Sequence, residues 1–212
     1  MARVVVYGAT GNIGQRILAE ALQRGHDVVA AVRNPGKVTE HSDRLTVVDT
    51  DPTDPAAVTR TVRGADAVIA SLNGDPDFFS TSSRALVDGL RPLGADGPRL
   101  LWVGGASSLL LADGTRLVDS GRIPAAWLPL VQGQIDVLEY FRTVDDVRWT
   151  YLSPAETIEP GGRAPGGFRV GEDHLVTDAS GTSRITYDDF AAALLDEVDA
   201  AAYVNRRFTA GY

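Results

Sequence analysis

Residues 3–17 read RVVVYGATGNIGQRI, and the fold is decided here. Val4, Val5, Val6 and Tyr7 make a continuous apolar run, which suits a strand buried on both faces. Glycine then falls at 8, 11 and 14, and an apolar face at helical spacing begins at Ile13 and continues through Ile17, Leu18 and Leu22. Each glycine answers a separate steric need. Gly8 permits the tight turn out of the strand, Gly11 removes the Cβ that would keep a diphosphate from the backbone, and Gly14 lets helix and strand pack closely. The start of the helix offers unpaired N–H groups and a partial positive charge to an anion. Strand, glycine turn and helix in this order predict a dinucleotide-binding turn.

Outward from that unit, the chain alternates. Apolar runs at 28–32, 45–48, 66–70, 100–103 and 147–152 read as further strands. Helical patterns lie between them: Ala57, Val58 and Val62; Leu86, Leu90 and Leu93; Leu138 and Phe141. The economical architecture is α/β: a Rossmann-type, doubly wound and mainly parallel sheet with helices on both faces. At 212 residues and 44% hydrophobic, the chain supports one domain over 1–212. After Pro154 the character changes to EPGGRAPGG, short strand-like pieces FRV, HLV and SRIT, and a helix capped by Thr186 with Asp189 three residues later. Residues 153–212 are therefore expected to form a smaller, substrate-side subregion on the same core.

The second strand ends in VRNPGK. A chain built for NAD would place an acidic residue there to accept hydrogen bonds from the ribose hydroxyls. Arg33 stands in that place, followed by Asn34 and Lys37, the only lysine of the chain. A guanidinium grips a 2′-phosphate with two parallel bonds while an ammonium adds a point charge, so NADP(H) is favoured over NAD(H). In the exit of the third strand, VVDTDPTD, Asp51 is placed to meet the adenine amino group, whereas Asp54 caps the next helix. At IASLNG, small Ser71 and Gly74, with Leu72 between them, let a strand end approach the ribose and diphosphate.

Composition excludes several classes. The formal net charge is -8 and no basic stripe offsets it, which argues against nucleic acid. There is no cysteine, hence no disulfide, thiolate metal site or cysteine nucleophile. The first strand begins within three residues of Met1, leaving no room for a secretory leader, and no apolar run approaches the ~20 residues of a membrane span. A cytoplasmic protein without membrane contact is expected. His26, His41 and His174 stand singly, without metal-ligand spacing, and no nucleophile elbow is visible.

The motifs GATGNIG, VRNPGK, WVGGASSL at 102–109, WTYLSPAETIEPGGR at 149–163 and ITYDDFAAALLDEV at 185–198 together resemble the atypical short-chain dehydrogenase/reductases. More closely, the chain resembles NmrA-like and biliverdin reductase B-like NAD(P)H-binding proteins. The resemblance implies that Gly8, Thr10, Gly11, Asn12 and Ile13 hold the diphosphate and Arg33 the 2′-phosphate. It also implies that Gly104–Ser108 and Pro154–Ile158 flank the nicotinamide.

Ordinary members of the wider group protonate their product with a tyrosine and a lysine four residues on, the ammonium lowering the phenol pKa. With Lys37 preceded four positions earlier by Arg33, that pair cannot exist in this chain. The helix that should carry it reads LPLVQGQIDVLEYF, where Gln132 and Gln134 supply amides that orient but do not protonate. Tyr140 and Tyr151 read as core. Hydride delivery to a simple ketone makes an alkoxide that needs an acid; flavins, quinones and extended tetrapyrroles spread the charge and take a proton from water. The expected activity is therefore NADPH-dependent hydride transfer to a small, planar, conjugated acceptor. Ser108, or failing it Ser107, would donate a hydrogen bond to the acceptor, and Glu156 is either a proton relay or a surface charge. Two loops could cover the acceptor, NGDPDFFST with Phe78 and Phe79, and LADGTRLVDSGRIPAAW ending at Trp127, with the glycine-rich 161–171 segment as a lid. The alternative is an NADP(H)-occupancy sensor without turnover, for which a protein partner replaces the acceptor. Either reading accommodates a monomer or a small homo-oligomer. An NADP-dependent isomerase or epimerase would need an acid/base that the sequence does not reveal.

Overall fold

A computed structural model describes residues 1–212. In chain order it contains β1 (Arg3–Tyr7), α1 (Asn12–Gln23), β2 (Asp27–Val32), β3 (Leu45–Asp49), α2 (Pro55–Val62), β4 (Ala67–Ala70), α3 (Pro76–Leu90), β5 (Arg99–Val103), α4 (Leu128–Phe141) and β6 (Trp149–Ser153). There follow β7 (Thr157–Glu159), β8 (Arg169–Gly171), β9 (Arg184–Thr186), α5 (Tyr187–Ala200) and β10 (Arg206–Gly211). The main sheet has the order β3-β2-β1-β4-β5-β6-β10-β8, parallel except where β8 runs antiparallel to β10, and β7 and β9 form a separate parallel pair. The expected Rossmann-type sheet is thus present. Strand order reverses on either side of β1, which pairs with β2 on one edge and β4 on the other. The crevice beyond such a switch point is where α/β sheets take their ligands.

Continuous apolar strands follow from cover on both faces. Val4 and Val6 pack with Ile17 and Leu18 of α1 and with Phe190 and Leu194 of α5. Val5 and Tyr7, one residue out of phase, pack with Val58 of α2, Leu86 of α3 and Leu138 of α4. Alternate side chains therefore enter opposite apolar layers, and neither layer tolerates a polar alternation. No helix is long and apolar enough to cross a membrane.

The helix caps obey local chemistry. Asp54 accepts from the Ala56 N–H at 2.9 Å and Thr186 from the Asp189 N–H at 3.3 Å, as their sequence positions predict. The same chemistry corrects the reading of NGDPDFFST as a covering loop. Asp75 accepts from the Phe78 N–H at 2.8 Å, Pro76 opens α3, and Phe79 is core. HLV at 174–176 is not a strand; its chain instead bonds Leu110, whose N–H donates to the Asp173 carbonyl at 2.8 Å and whose carbonyl accepts from Leu175 at 2.9 Å. β10 was not foreseen at all, and it extends the main sheet.

One buried ion pair fastens this carboxy-terminal part. Arg99 at the start of β5 bonds the Glu197 carboxylate and carbonyl of α5, and donates to the Thr150 hydroxyl at 2.7 Å. Glu197 also accepts from the Ala202 and Tyr203 N–H groups at 3.0 Å each. Both charges are thereby compensated inside the protein.

Candidate cofactor and acceptor site

The three glycines of the turn do three different things. Gly8 lies at φ +76°, and a Cβ there would stand 2.0 Å from the Ser71 carbonyl oxygen of the neighbouring strand exit. A Cβ on Gly14 would stand 2.0 Å from the Gly8 carbonyl oxygen, so Gly14 lets helix approach turn. Gly11, at φ -78°, meets nothing nearer than 3.4 Å. It is the N-cap of α1, it supplies no capping side chain, and the first turn of α1 contains no acidic residue. The free N–H groups of that turn are left for an anion from outside the chain.

They border a cavity of about 270 Å³ beyond the switch point, with Gly8, Thr10 and Gly11 on one wall. Arg33, Asn34 and Lys37 from the β2 exit, and Ser71, Leu72 and Asn73 from the β4 exit, complete most of it. No carboxylate lines this cavity, and Arg33 and Lys37 are its two cations. The Arg33 guanidinium carbon lies 5.5 Å from the centre of the Phe78 ring. Gly11, Ser71, Leu72 and Asn73 also border a second cavity of about 640 Å³, so the two form one groove. Asn12 and Ile13 line this second part, together with Val103–Ser107, Pro154–Ile158, Gln134 and Tyr187. A turn with no side chain at residue 11, the helix N–H groups beside it and a cationic end are chemically suited to a nicotinamide dinucleotide.

Aromatic packing sets the wall of the second cavity. A Cβ on Gly104 would stand 2.0 Å from the Tyr151 ring, so the strand exit lies directly on that phenol. The Tyr151 hydroxyl accepts from the Gly105 N–H at 3.1 Å and donates to the Gln134 carbonyl at 2.9 Å. Burial pushes this phenol well above the ordinary tyrosine range, which suits a structural tie rather than a proton donor. Gln134 Oε1 accepts from the Trp102 indole at 3.0 Å. Gln132 faces outward and bonds Asp136. Tyr140 is half-buried, with the Arg84 guanidinium 4.4 Å above its ring.

Several expected positions lie elsewhere. Asp51 does not line either cavity. Its carboxylate accepts from the Thr53 N–H at 2.9 Å and hydroxyl at 2.7 Å, and these bonds, with a smaller contribution from Arg33, hold it below the usual carboxylate range. Ser108 does not line the cavity and accepts from Arg207 at 2.8 Å; of the two neighbouring serines it is Ser107 that lines it. The 161–171 segment borders neither cavity and does not form a lid over them. Its Ala164 N–H donates to Asp189 at 2.8 Å, and Arg163 reaches Glu20 at 2.7 Å, so it packs on α1 and α5. The 111–127 loop does border the second cavity, through Leu117, Arg122, Ile123, Pro124 and Trp127, the last 63% exposed. Glu156 lines the same cavity and bonds Arg122 at 2.6 Å. Asn73, Arg122 and Tyr187 were passed over in the sequence. Only Tyr187 carried a signal, one residue after a helix cap.

Comparison with known proteins points to a nicotinamide coenzyme. The sequence profile of an NAD(P)H-binding family matches residues 8–200. The uncharacterized protein YwnB of Bacillus subtilis is 36% identical over 98% of this chain and 97% of its own length. A solved structure described as a candidate epimerase, from Bacteroides thetaiotaomicron, is 37% identical, covers 100% of this chain and 97% of its own, and superposes with a TM-score of 0.92. A candidate NADH-flavin reductase of Streptococcus pneumoniae is 30% identical, covers 100% and 99%, and has a TM-score of 0.86. A glycine turn at the switch point of a parallel sheet, inside a profile match spanning most of the chain, identifies this protein as a member of the NAD(P)H-binding family, consistent with the resemblance to the atypical short-chain dehydrogenase/reductases.

Proposed function

We propose that this protein binds NADP(H) in preference to NAD(H) and reduces a small conjugated acceptor. The observation that carries the coenzyme choice is the first cavity, which has Arg33 and Lys37 and no carboxylate. A 2′-phosphate meets two cations there, whereas an unphosphorylated ribose finds no acidic acceptor for its hydroxyls. The pneumococcal relative's description names NADH, so coenzyme choice is a property to be measured on this chain.

The acceptor reading rests on the second cavity. Its volume of about 640 Å³ falls in the range of small-molecule sites, and half of its 26 lining residues are hydrophobic. When bound, the reduced nicotinamide supplies a hydride, so that with one proton from water the acceptor gains two electrons and the nicotinamide leaves oxidised. Gly104 and Gly105, held on Tyr151, keep the strand exit flat against the groove, and Pro154 and Ala155 form the wall beside them. Ser107 offers the acceptor a hydroxyl bond. No phenol and lysine pair stands ready to protonate an alkoxide, which favours acceptors that delocalise charge. NADPH oxidation against flavins, quinones and simple carbonyls tests this directly. Turnover with the conjugated acceptors and not with the carbonyls is expected. Tight nucleotide binding without turnover of any acceptor would replace the enzyme by a nucleotide-occupancy sensor.

A further inference from the structure

Arg122 and Glu156 are the two charged side chains of the second cavity, and they satisfy each other. Arg122 Nη2 donates to Glu156 Oε2 at 2.6 Å, linking the 111–127 loop to the segment after β6. The pair is not a loose surface contact on both sides. Glu156 is 25% exposed, against 49% for Arg122, and its backbone N–H donates to the Ser183 hydroxyl at 3.1 Å. The carboxylate is therefore held in place at the cavity wall, and no other lysine, arginine or histidine lines the cavity.

We infer that the Arg122–Glu156 pair makes this cavity select uncharged conjugated acceptors over anionic ones. The inference rests on the reading of the second cavity as the acceptor site. An acceptor carrying phosphate or carboxylate finds the single cation neutralised. To reach Arg122 it must displace Glu156, and the displaced carboxylate stays tethered beside it as a like charge. Two further fields act in the same direction. The whole chain carries a formal net charge of -8, and during turnover the phosphates of a coenzyme bound as proposed would stand in the adjoining part of the same groove. A neutral ring system escapes all three and keeps the apolar contact of Val103, Leu117, Ile123 and Trp127.

The test compares acceptors that share a ring and differ in charge: riboflavin with FMN, and a neutral naphthoquinone with its sulfonate. Steady-state kcat/KM with NADPH at low ionic strength is measured for each. Flavin affinity is measured separately by fluorescence quenching without nucleotide. The wild-type protein is expected to favour the neutral member of each pair by about tenfold or more, in both readouts where both apply. Glu156→Gln frees Arg122 while keeping the side-chain shape, and should raise the anionic-to-neutral ratio about tenfold. The double variant Arg122→Gln/Glu156→Gln should return the ratio to near the wild-type value, which a merely structural role of Glu156 would not produce. A wild-type preference for the anionic members, or a ratio that Glu156→Gln leaves unmoved, overturns the inference while leaving the acceptor site standing. Neither binding nor turnover of any of the four compounds overturns the acceptor reading and this inference together.

Discussion

Replacing the glycines of the turn one at a time by alanine separates the roles that geometry gives them. At Gly25 the backbone is left-handed, φ +79°, with nothing within 4 Å of the added Cβ, so Gly25→Ala measures the conformational cost alone, about 1–2 kcal/mol. Gly8 has the same conformation, φ +76°, but its Cβ would stand 2.0 Å from a backbone carbonyl, where ordinary contact begins at 3.4 Å. Because backbone cannot rotate away as a flexible side chain does, overpacking adds about 1–3 kcal/mol, for a total of about 2–5 kcal/mol. In a chain of this size each kcal/mol moves Tm by about 2–4 °C, so Gly8→Ala should melt about 5–20 °C lower than wild type. Gly14→Ala meets a similar contact without the left-handed penalty, and regains about 1 kcal/mol of helix propensity. Gly11→Ala should behave differently from all three. Its Cβ meets nothing nearer than 3.4 Å and its φ is -78°, so the cost stays below about 1 kcal/mol. Gly11 nevertheless lines both parts of the groove, so a methyl group at this position is expected to weaken nucleotide affinity strongly in a protein that still melts near the wild-type temperature. Thermal unfolding without ligand and calorimetric titration with NADPH read the two quantities separately. A Gly8→Ala protein no less stable than Gly25→Ala, or a Gly11→Ala protein that binds nucleotide normally, would refute the assignment.

Glu197→Ala strips the buried Arg99 of its counter-charge and should cost about 3–5 kcal/mol in urea unfolding without altering the groove itself. The Tyr7 phenol is buried, and burial outweighs the opposing effect of the nearby Thr61 and Thr50 hydroxyls, pushing its pKa from the ordinary 10.0 up to about 12. The unfolded chain therefore releases this proton first. The stability is intact below pH 10 and falls by about 3 kcal/mol as the pH rises to about 12. Tyr7→Phe should make that alkaline decline measurably shallower, and an unchanged slope would show that Tyr7 does not cause it.

The parts legible in the sequence are those fixed by neighbours a few residues away. The tight turn at Gly8 and the approach allowed by Gly14 follow from the strand before them and the helix after them, although the Ser71 carbonyl against Gly8 does not, and the same short range placed β1 to β6 and the caps Asp54 and Thr186. β10, RRFTAG, has no continuous apolar run like those that mark the other strands, because it opens on Arg206 and Arg207. In the fold Arg207 is buried, its charge met by Asp173, a partner 34 residues away that no local window contains. The choice between Ser107 and Ser108 has the same character: Ser108 bonds Arg207 and does not line the cavity. EPGGRAPGG suggested a movable lid by composition, yet Asp189 on α5 and Glu20 on α1 tie it down. Asp75 and Pro76 did carry a local helix-start signal, and the adjoining Gly74 made the stretch read as a loop instead. The cancellation of Arg122 by Glu156, 34 residues along the chain, likewise becomes visible only when the loop and the β6 exit meet.

The central claim is that a phosphorylated adenosine is held between the glycine turn and Arg33, and calorimetric titration of wild type and Arg33→Ala with NADPH and NADH tests it most directly. Charge-assisted bonds of this kind contribute about 1.5–3 kcal/mol, so wild type should bind NADPH roughly 10- to 150-fold more tightly than NADH, and Arg33→Ala should lose most of that preference while binding NADH as before. Absence of heat with either coenzyme from folded protein, or tighter binding of NADH, would contradict it.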